Sequence, residues 1–466
     1  SWTEPLGDVK NGNFLTVSYR ISYRWNNADR ITYMRPVDEQ IADQLSRLTG
    51  TDDVYSYMNS LPLFMLEPLA GDERVDSLSN QFRNDYMNQD IRVGYKHVSK
   101  KATLDVGMSL VPQMSKSIDL INSAKNIPER WVWNYAPYLR YRYRVSKSRS
   151  IHINYRGRSS QPSISQLQPV ADYSDPLNVV QGNPELAPSF THSLNGRFHD
   201  FNMEAQRAIM LDASVSMTQN SIVSKSTFDP TTGARFTTYE NVNGVWNANL
   251  MNMISFPLKN KEFKFNNFLM LSNDHNVGYS NGLLNNSNNF RMNISPGLSW
   301  NNTLAELELR PRYGLQVSKS SMQSGQNSTV HSYGGMFRAT YYAPFGLVLG
   351  SDVSYSANKG YGSGYDVNEW ILNASISYQF LKDRSLTVSL KGYDLLDQRS
   401  SVSRSVTANS ITDSMNNTLG RYAMVSVSYK FQVFPGGSGP KTDFDRGDFP
   451  GPPPGGHPGG RPGPRF

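Results

Sequence analysis

Arg140, Arg142 and Arg144 recur at every second position, and Arg156 and Arg158 follow at the same interval. In an extended chain alternate side chains share a face, so each set aims its guanidinium groups in one direction. A guanidinium fork matches the oxygens of a carboxylate or phosphate. Rows of this kind have two uses. They form a positive wall that attracts anionic solutes or braces an acidic partner, or they form a solvated surface that pairs with carboxylates across strands. Arg20 and Arg24 have the same parity. In Glu306, Glu308, Arg310 and Arg312 two carboxylates precede two cations on one face, and Glu306 and Glu308 are the candidate partners for the arginine rows.

A second polar group, Asp172, Asp175, Asn178, Asn183 and Glu185, lies in the Pro- and Asn-rich stretch 161–192. It has two readings, contact with a substrate or the fixing of turns. Catalytic and metal chemistry find less support. Cysteine is absent and the seven His are scattered, so no metal-ligand spacing forms. Asp443, Asp445 and Asp448 begin like a calcium loop but lack its spacing and closing Glu. No nucleophile elbow or glycine-rich phosphate loop is present. Neither an enzyme nor a cofactor is expected.

The elements that carry these residues follow a period of two. In 131–145 Trp131, Trp133, Tyr135, Leu139, Tyr141 and Tyr143 alternate with Asn134, Tyr138 and the three arginines. In 305–317 Leu307, Leu309, Tyr313 and Leu315 alternate with Glu306, Glu308, Arg310 and Arg312. About sixteen strands read this way, near 12–26, 84–98, 101–116, 130–146, 149–159, 188–201, 205–220, 233–257, 261–274, 287–300, 303–319, 328–343, 346–358, 366–381, 384–397 and 417–434. Short connections alternate with long polar loops near 27–83, 117–129, 160–187, 221–232, 275–286, 320–327, 359–365 and 398–416. The loop 27–83 includes an amphipathic stretch, Glu39 to Leu45, and an apolar one, Leu61 to Leu66.

Composition sets the solvent. Of 466 residues 38% are hydrophobic, 18% charged and 12% aromatic, with a mean hydropathy of −0.52. No run of 18 apolar residues occurs, so no transmembrane helix is encoded. Strands with one apolar and one polar face, and long loops kept to one end, fit a closed sheet in lipid around a wet lumen. The expected fold is all-β, a transmembrane antiparallel up-and-down barrel over 1–434 in the outer membrane of a Gram-negative bacterium. Trp25, Trp131, Trp133, Trp300, Tyr341, Trp370 and Phe434 suit its interfacial girdles. The net charge of +7 is spread along strands, which favours anionic lipid and lipopolysaccharide over nucleic acid. Residues 435–466 hold nine Pro and ten Gly in thirty-two positions and read as a periplasmic tail, with 440–466 expected to dock on the barrel or on another subunit.

Three blocks carry a resemblance. The first is Tyr155 to Ile164 (YRGRSSQPSI) with Gln166 to Val170 (QLQPV). The second runs from Asp175 to Asn178 (DPLN), through Gly182 to Leu186 (GNPEL), to Pro188 to His192 (PSFTH). The third is Tyr393 to Gln398 (YDLLDQ) with Asn416 to Phe431. Trp2 to Leu6 is similar to a strand end of the same family. Together they resemble the outer-membrane β-barrel family of TonB-dependent receptors from Bacteroidetes. The resemblance implies nutrient uptake, a plug domain, a TonB-reading segment and a barrel of about 22 strands. No plug is visible in this sequence, and Ser1 is no initiator, so the expectation is the C-terminal part of a longer barrel. A passive porin and a scaffolding subunit of an outer-membrane complex are the alternatives.

Overall fold

The computed structural model describes residues 1–31, 33–34, 47, 73–75, 79–121, 123, 126–169, 171–172, 175, 177–322, 327–361, 366, 368–381, 384–399, 402–406, 411–415 and 419–431. The stretches 39–45 and 61–66, Phe434 and the tail lie outside them. Seventeen strands form one sheet. They are β1 (Trp2–Pro5), β2 (Asn13–Arg30), β3 (Asn80–Val98), β4 (Ala102–Asp119), β5 (Ile127–Arg144), β6 (Arg149–Ser160), β7 (Ser189–Asn202), β8 (Arg207–Gln219) and β9 (Val245–Pro257). They continue as β10 (Phe263–Ser280), β11 (Leu283–Asn301), β12 (Ala305–Ser320), β13 (Ser328–Tyr342), β14 (Leu347–Lys359), β15 (Asn368–Phe380), β16 (Leu386–Tyr393) and β17 (Tyr422–Tyr429). Each pairs antiparallel with the next, from β1 at one edge to β17 at the other.

Register keeps the two faces apart across the wall. One row runs Leu15–Tyr95–Val106–Leu139–Tyr155–Leu194–Val215–Ala248, and the neighbouring row runs Thr16–Gly94–Gly107–Tyr138–Arg156–Ser193–Ser216–Asn247. A slip of one residue at any strand would exchange the rows, so the pattern itself fixes the pairing. The apolar face takes lipid and leaves aromatics exposed at both margins. Trp25, Trp131, Trp133 and Trp370 stand near the long-loop end, and Trp300 and Tyr341 near the other.

The buried apolar side chains Ile164, Leu167, Val179, Leu186 and Val242 lie in the long-loop region, above the wall. Here the structure departs from the loop assignments. Residues 221–228 form a strand paired with 235–242, and a third strand, Asn178–Val180, adds in parallel to Arg235–Thr237. The expected strand 233–257 is broken at Asn243–Gly244, where Gly244 has φ +95°. The expected loop 275–286 is a paired extension of β10 and β11 closed by Asn281 and Gly282, both at positive φ (48° and 78°). That Asn-Gly pair is a two-residue hairpin turn of the type that matches strand twist. Residues 402–406 and 411–415 form a further hairpin.

Candidate functional site

The polar face of β2–β6 holds a cleft of about 690 Å³ lined by Arg24, Arg92, Arg140, Arg156 and Arg158, with Asp90 as its one carboxylate. Glycines shape its floor. A Cβ at Gly94 would stand 2.1 Å from the Tyr138 hydroxyl, and one at Gly107 would stand 2.4 Å from the Val93 carbonyl and 2.8 Å from the same hydroxyl. Only a bare backbone at both positions lets Tyr138 lie across the neighbouring strands. Its ring then takes the guanidinium of Arg92 at 5.3 Å and that of Arg140 at 5.7 Å, while Arg24 stands over Tyr86 at 5.2 Å.

The charges are partly balanced. Arg92 lies 3.6 Å from Asp90, and Arg140 lies 3.9 Å from Asp105. Arg156 and Arg158 are exposed and make no ion pair among the described residues. Across β5 and β6 the partners of Arg140, Arg142 and Arg144 are Asn154, His152 and Ser150, and that of Arg156 is Tyr138. No two arginines stand directly opposite, which avoids the like-charge penalty of a cross-strand pair. The result is a positive wall with free guanidinium edges, able to hold carboxylate or phosphate oxygens.

The other candidates fall elsewhere. Arg20 stands opposite Asp90, and Arg142 and Arg144 continue the row toward the short-turn end. Glu308 lies on β12 and pairs with Arg310 beside it and with Arg338 at 3.9 Å, not with the arginines of β5 and β6. Glu306 stands between Asn301 and Thr340, and Arg312 donates to the Ser356 hydroxyl. Arg92 and Tyr138 complete the cleft. Their even parity within alternating stretches was the available signal, and Gly107, opposite Tyr138, was its complement.

The loop residues act on the loop itself. Asp172 bridges to Val180 through the backbone, and Asp175 accepts from Leu177 N at 3.1 Å and from the Asn178 amide at 2.8 Å. Asn183 donates to the Tyr239 carbonyl at 3.1 Å and accepts from Glu185 N at 2.9 Å, with the Glu185 side chain exposed. Asn241, unmarked in the sequence, accepts from Ala187 N at 2.8 Å and donates to the carbonyls of Ala187 and Asn220. In the hairpin above, Lys225 and Tyr279 both donate to Glu240 and hold its carboxyl below the usual range. A capping box closes the helical turn Ile164–Leu167 through Ser163 and Gln166.

The YDLLDQ block is a clamp between strands. Asp394, 1% exposed, accepts from Gln398 N at 3.2 Å and Arg399 N at 3.1 Å, and its own N–H donates to Asn373. Asp397 accepts from Arg421 N at 2.9 Å, and Gln398 accepts from Trp370 N at 3.0 Å. Among the described residues no group of three His, Asp or Glu is placed to hold a metal.

Residues 73–429 match the outer membrane protein beta-barrel family. No curated protein matches the chain. Among solved structures it is similar to the FrpB iron transporter from Neisseria meningitidis (F3-3 variant), at 10% identity and a TM-score of 0.28, covering 84% of this chain and 58% of that one. The F5-1 variant apoprotein matches at 10% and 0.28, over 68% and 55%. The copper transporter OprC matches at 8% and 0.23, over 76% and 78%. The chain thus spans little more than half the length of the two iron transporters. With the match over 73–429 set beside a two-faced antiparallel meander, the chain belongs to the outer membrane protein beta-barrel family.

Proposed function

We propose that this chain is the barrel wall of a TonB-dependent receptor that imports a nutrient across the outer membrane and performs no catalysis of its own. The observation that carries the reading is the cleft at Arg24, Arg92, Arg140, Arg156 and Arg158, a positive wall on the polar face with free guanidinium edges. A plug has acidic and polar groups to brace there, and an anionic nutrient has oxygens to place there once the plug moves. The motif blocks at 155–192 and 393–431 support the same family of receptors. The plug and the TonB-reading segment would come from chain outside these 466 residues, and the barrel would close with further strands.

Planar-bilayer recording of the full-length gene product tests this. A plugged receptor shows no steady conductance until the plug is loosened by several molar urea. Large, stable open steps in plain buffer would instead make the chain a passive porin and overturn the proposal.

A further inference from the structure

Register and alternation place every side chain of the wall on one face or the other, and the apolar face carries few charges. On the long strands β2–β17, the described charged residues of that face lie at the strand ends. At the short-turn end they are three: Arg149 of β6, Asp200 of β7 and Arg207 of β8. On the edge strand, Glu4 shares that face. The row just above them is Ile151–Phe198–Leu211, wholly apolar. A charged side chain is strongly disfavoured on the lipid face at the bilayer mid-plane and nearly neutral at the head-group level. The step from that row to Arg149 and Asp200 therefore marks the periplasmic interface. Tyr143, the cross-strand partner of Ile151, is an aromatic of the kind that anchors there.

The three charges are bonded as a unit. Arg149 donates to Asp200 Oδ2 at 3.0 Å, and Arg207 donates to the same oxygen at 2.7 Å. Asp200 is 3% exposed, while the side chains of Arg149 and Arg207 are 45% and 32% exposed. The carboxylate is thus the internal brace and the two guanidiniums are the outer surface, with one positive charge left over. Two groups of the cluster, Asp200 Oδ1 and Arg207 Nε, are buried without a hydrogen-bond partner among the described residues. The strut takes one group from each of three strands and leaves one positive charge unbalanced on the exposed guanidinium edges, which an anion seated against them would neutralise.

We propose that Arg149 and Arg207, braced by Asp200, bind the phosphodiester of a phospholipid in the periplasmic leaflet. The phosphate oxygens accept from the exposed guanidinium edges, and the acyl chains run along Ile151, Phe198 and Leu211. The apolar row beside the charges is what selects an amphiphile over free phosphate, which has no use for it.

The test is native mass spectrometry of the intact outer-membrane protein in mild detergent, delipidated and then titrated with phosphatidylglycerol, with diacylglycerol and with inorganic phosphate. The expected result is a retained phosphatidylglycerol that diacylglycerol does not replace and that millimolar phosphate does not displace. In the double variant R149Q/R207Q its occupancy falls about tenfold, the size of losing one or two charge-assisted hydrogen bonds. Arg149→Gln alone keeps the Asp200–Arg207 pair and gives a smaller loss of the same sign, which decides the matter if the double variant does not fold. Unchanged occupancy in a folded variant overturns the site. Equal binding of diacylglycerol overturns phosphate recognition, and displacement by inorganic phosphate overturns the lipid as occupant.

Discussion

Asp394 shows how much of this wall hangs on single polar residues outside the strands. It sits at φ +46° one residue past the end of β16, buried, and takes two backbone N–H donors. An ionised acceptor of buried N–H groups is worth more than a neutral one. Asp394→Ala is expected to destabilise the last strands by about 3 kcal/mol. The check is heat-modifiable mobility on gels, with the folded band lost at a lower temperature than in the parent. Asp394→Asn keeps one acceptor oxygen and tolerates the left-handed backbone, so it recovers part of the loss. The residue was visible in the sequence as part of YDLLDQ, but its task was not. Alternation stops at Tyr393, and nothing in a single chain says that the next Asp closes a loop onto β15.

At the scale of elements, the strands were legible within the bilayer and illegible above it. Inside lipid each strand faces oil on one side and water on the other, so alternation is compulsory and reads directly. Above the membrane both faces are wet, and the period vanishes while the backbone pairing continues. The stretch 275–286 reads as a loop for that reason, although Asn281 and Gly282 within it are a short hairpin signal. The same wet zone holds the platform in which loop 161–188 rests on the hairpin 221–242. Asn241→Ala removes the two hydrogen bonds to Ala187 that join them and a third to the Asn220 carbonyl, and is expected to cost about 2 kcal/mol locally. Limited proteolysis should then cut within 161–188 while the wall keeps its heat-modifiable band. Glu240 adds a pH dependence. The Lys225 and Tyr279 hydrogen bonds lower its pKa in the folded hairpin, so the stabilisation is whole above the ordinary Glu value and is lost as pH falls through the depressed one. Amide exchange in 221–242, corrected for intrinsic rate, should quicken below about pH 4.5, with Glu240→Gln abolishing that dependence. The pair is partly exposed, so the effect is about 0.5 kcal/mol.

Across the whole molecule the polar face is electrically lopsided. On β12 and β13 the carboxylate of Glu308 is shared by Arg310 and Arg338, which leaves that sector nearly balanced. On β5 and β6 five arginines face Asp105 and neutral partners, and the field there is positive. The arginine rows were legible because the polar face of a strand follows the same period as its apolar face. Which of them found carboxylates was not, since Glu308 had to be placed several strands from the cluster before its pairing was known. The two sectors make opposite predictions. Replacing Arg140, Arg142 and Arg156 with Gln removes three charges from the open sector and should move the reversal potential toward cation selectivity in salt-gradient bilayer recordings of the urea-opened barrel. Glu308→Gln uncovers two cations in the balanced sector and should move it toward anions, at a stability cost of about 1–3 kcal/mol for the broken, partly exposed pair. Shifts of opposite sign require both rows to face the conduction path. If neither substitution moves the potential, the polar face is covered along its length, and the cleft between β2 and β6 meets a plug rather than a solute.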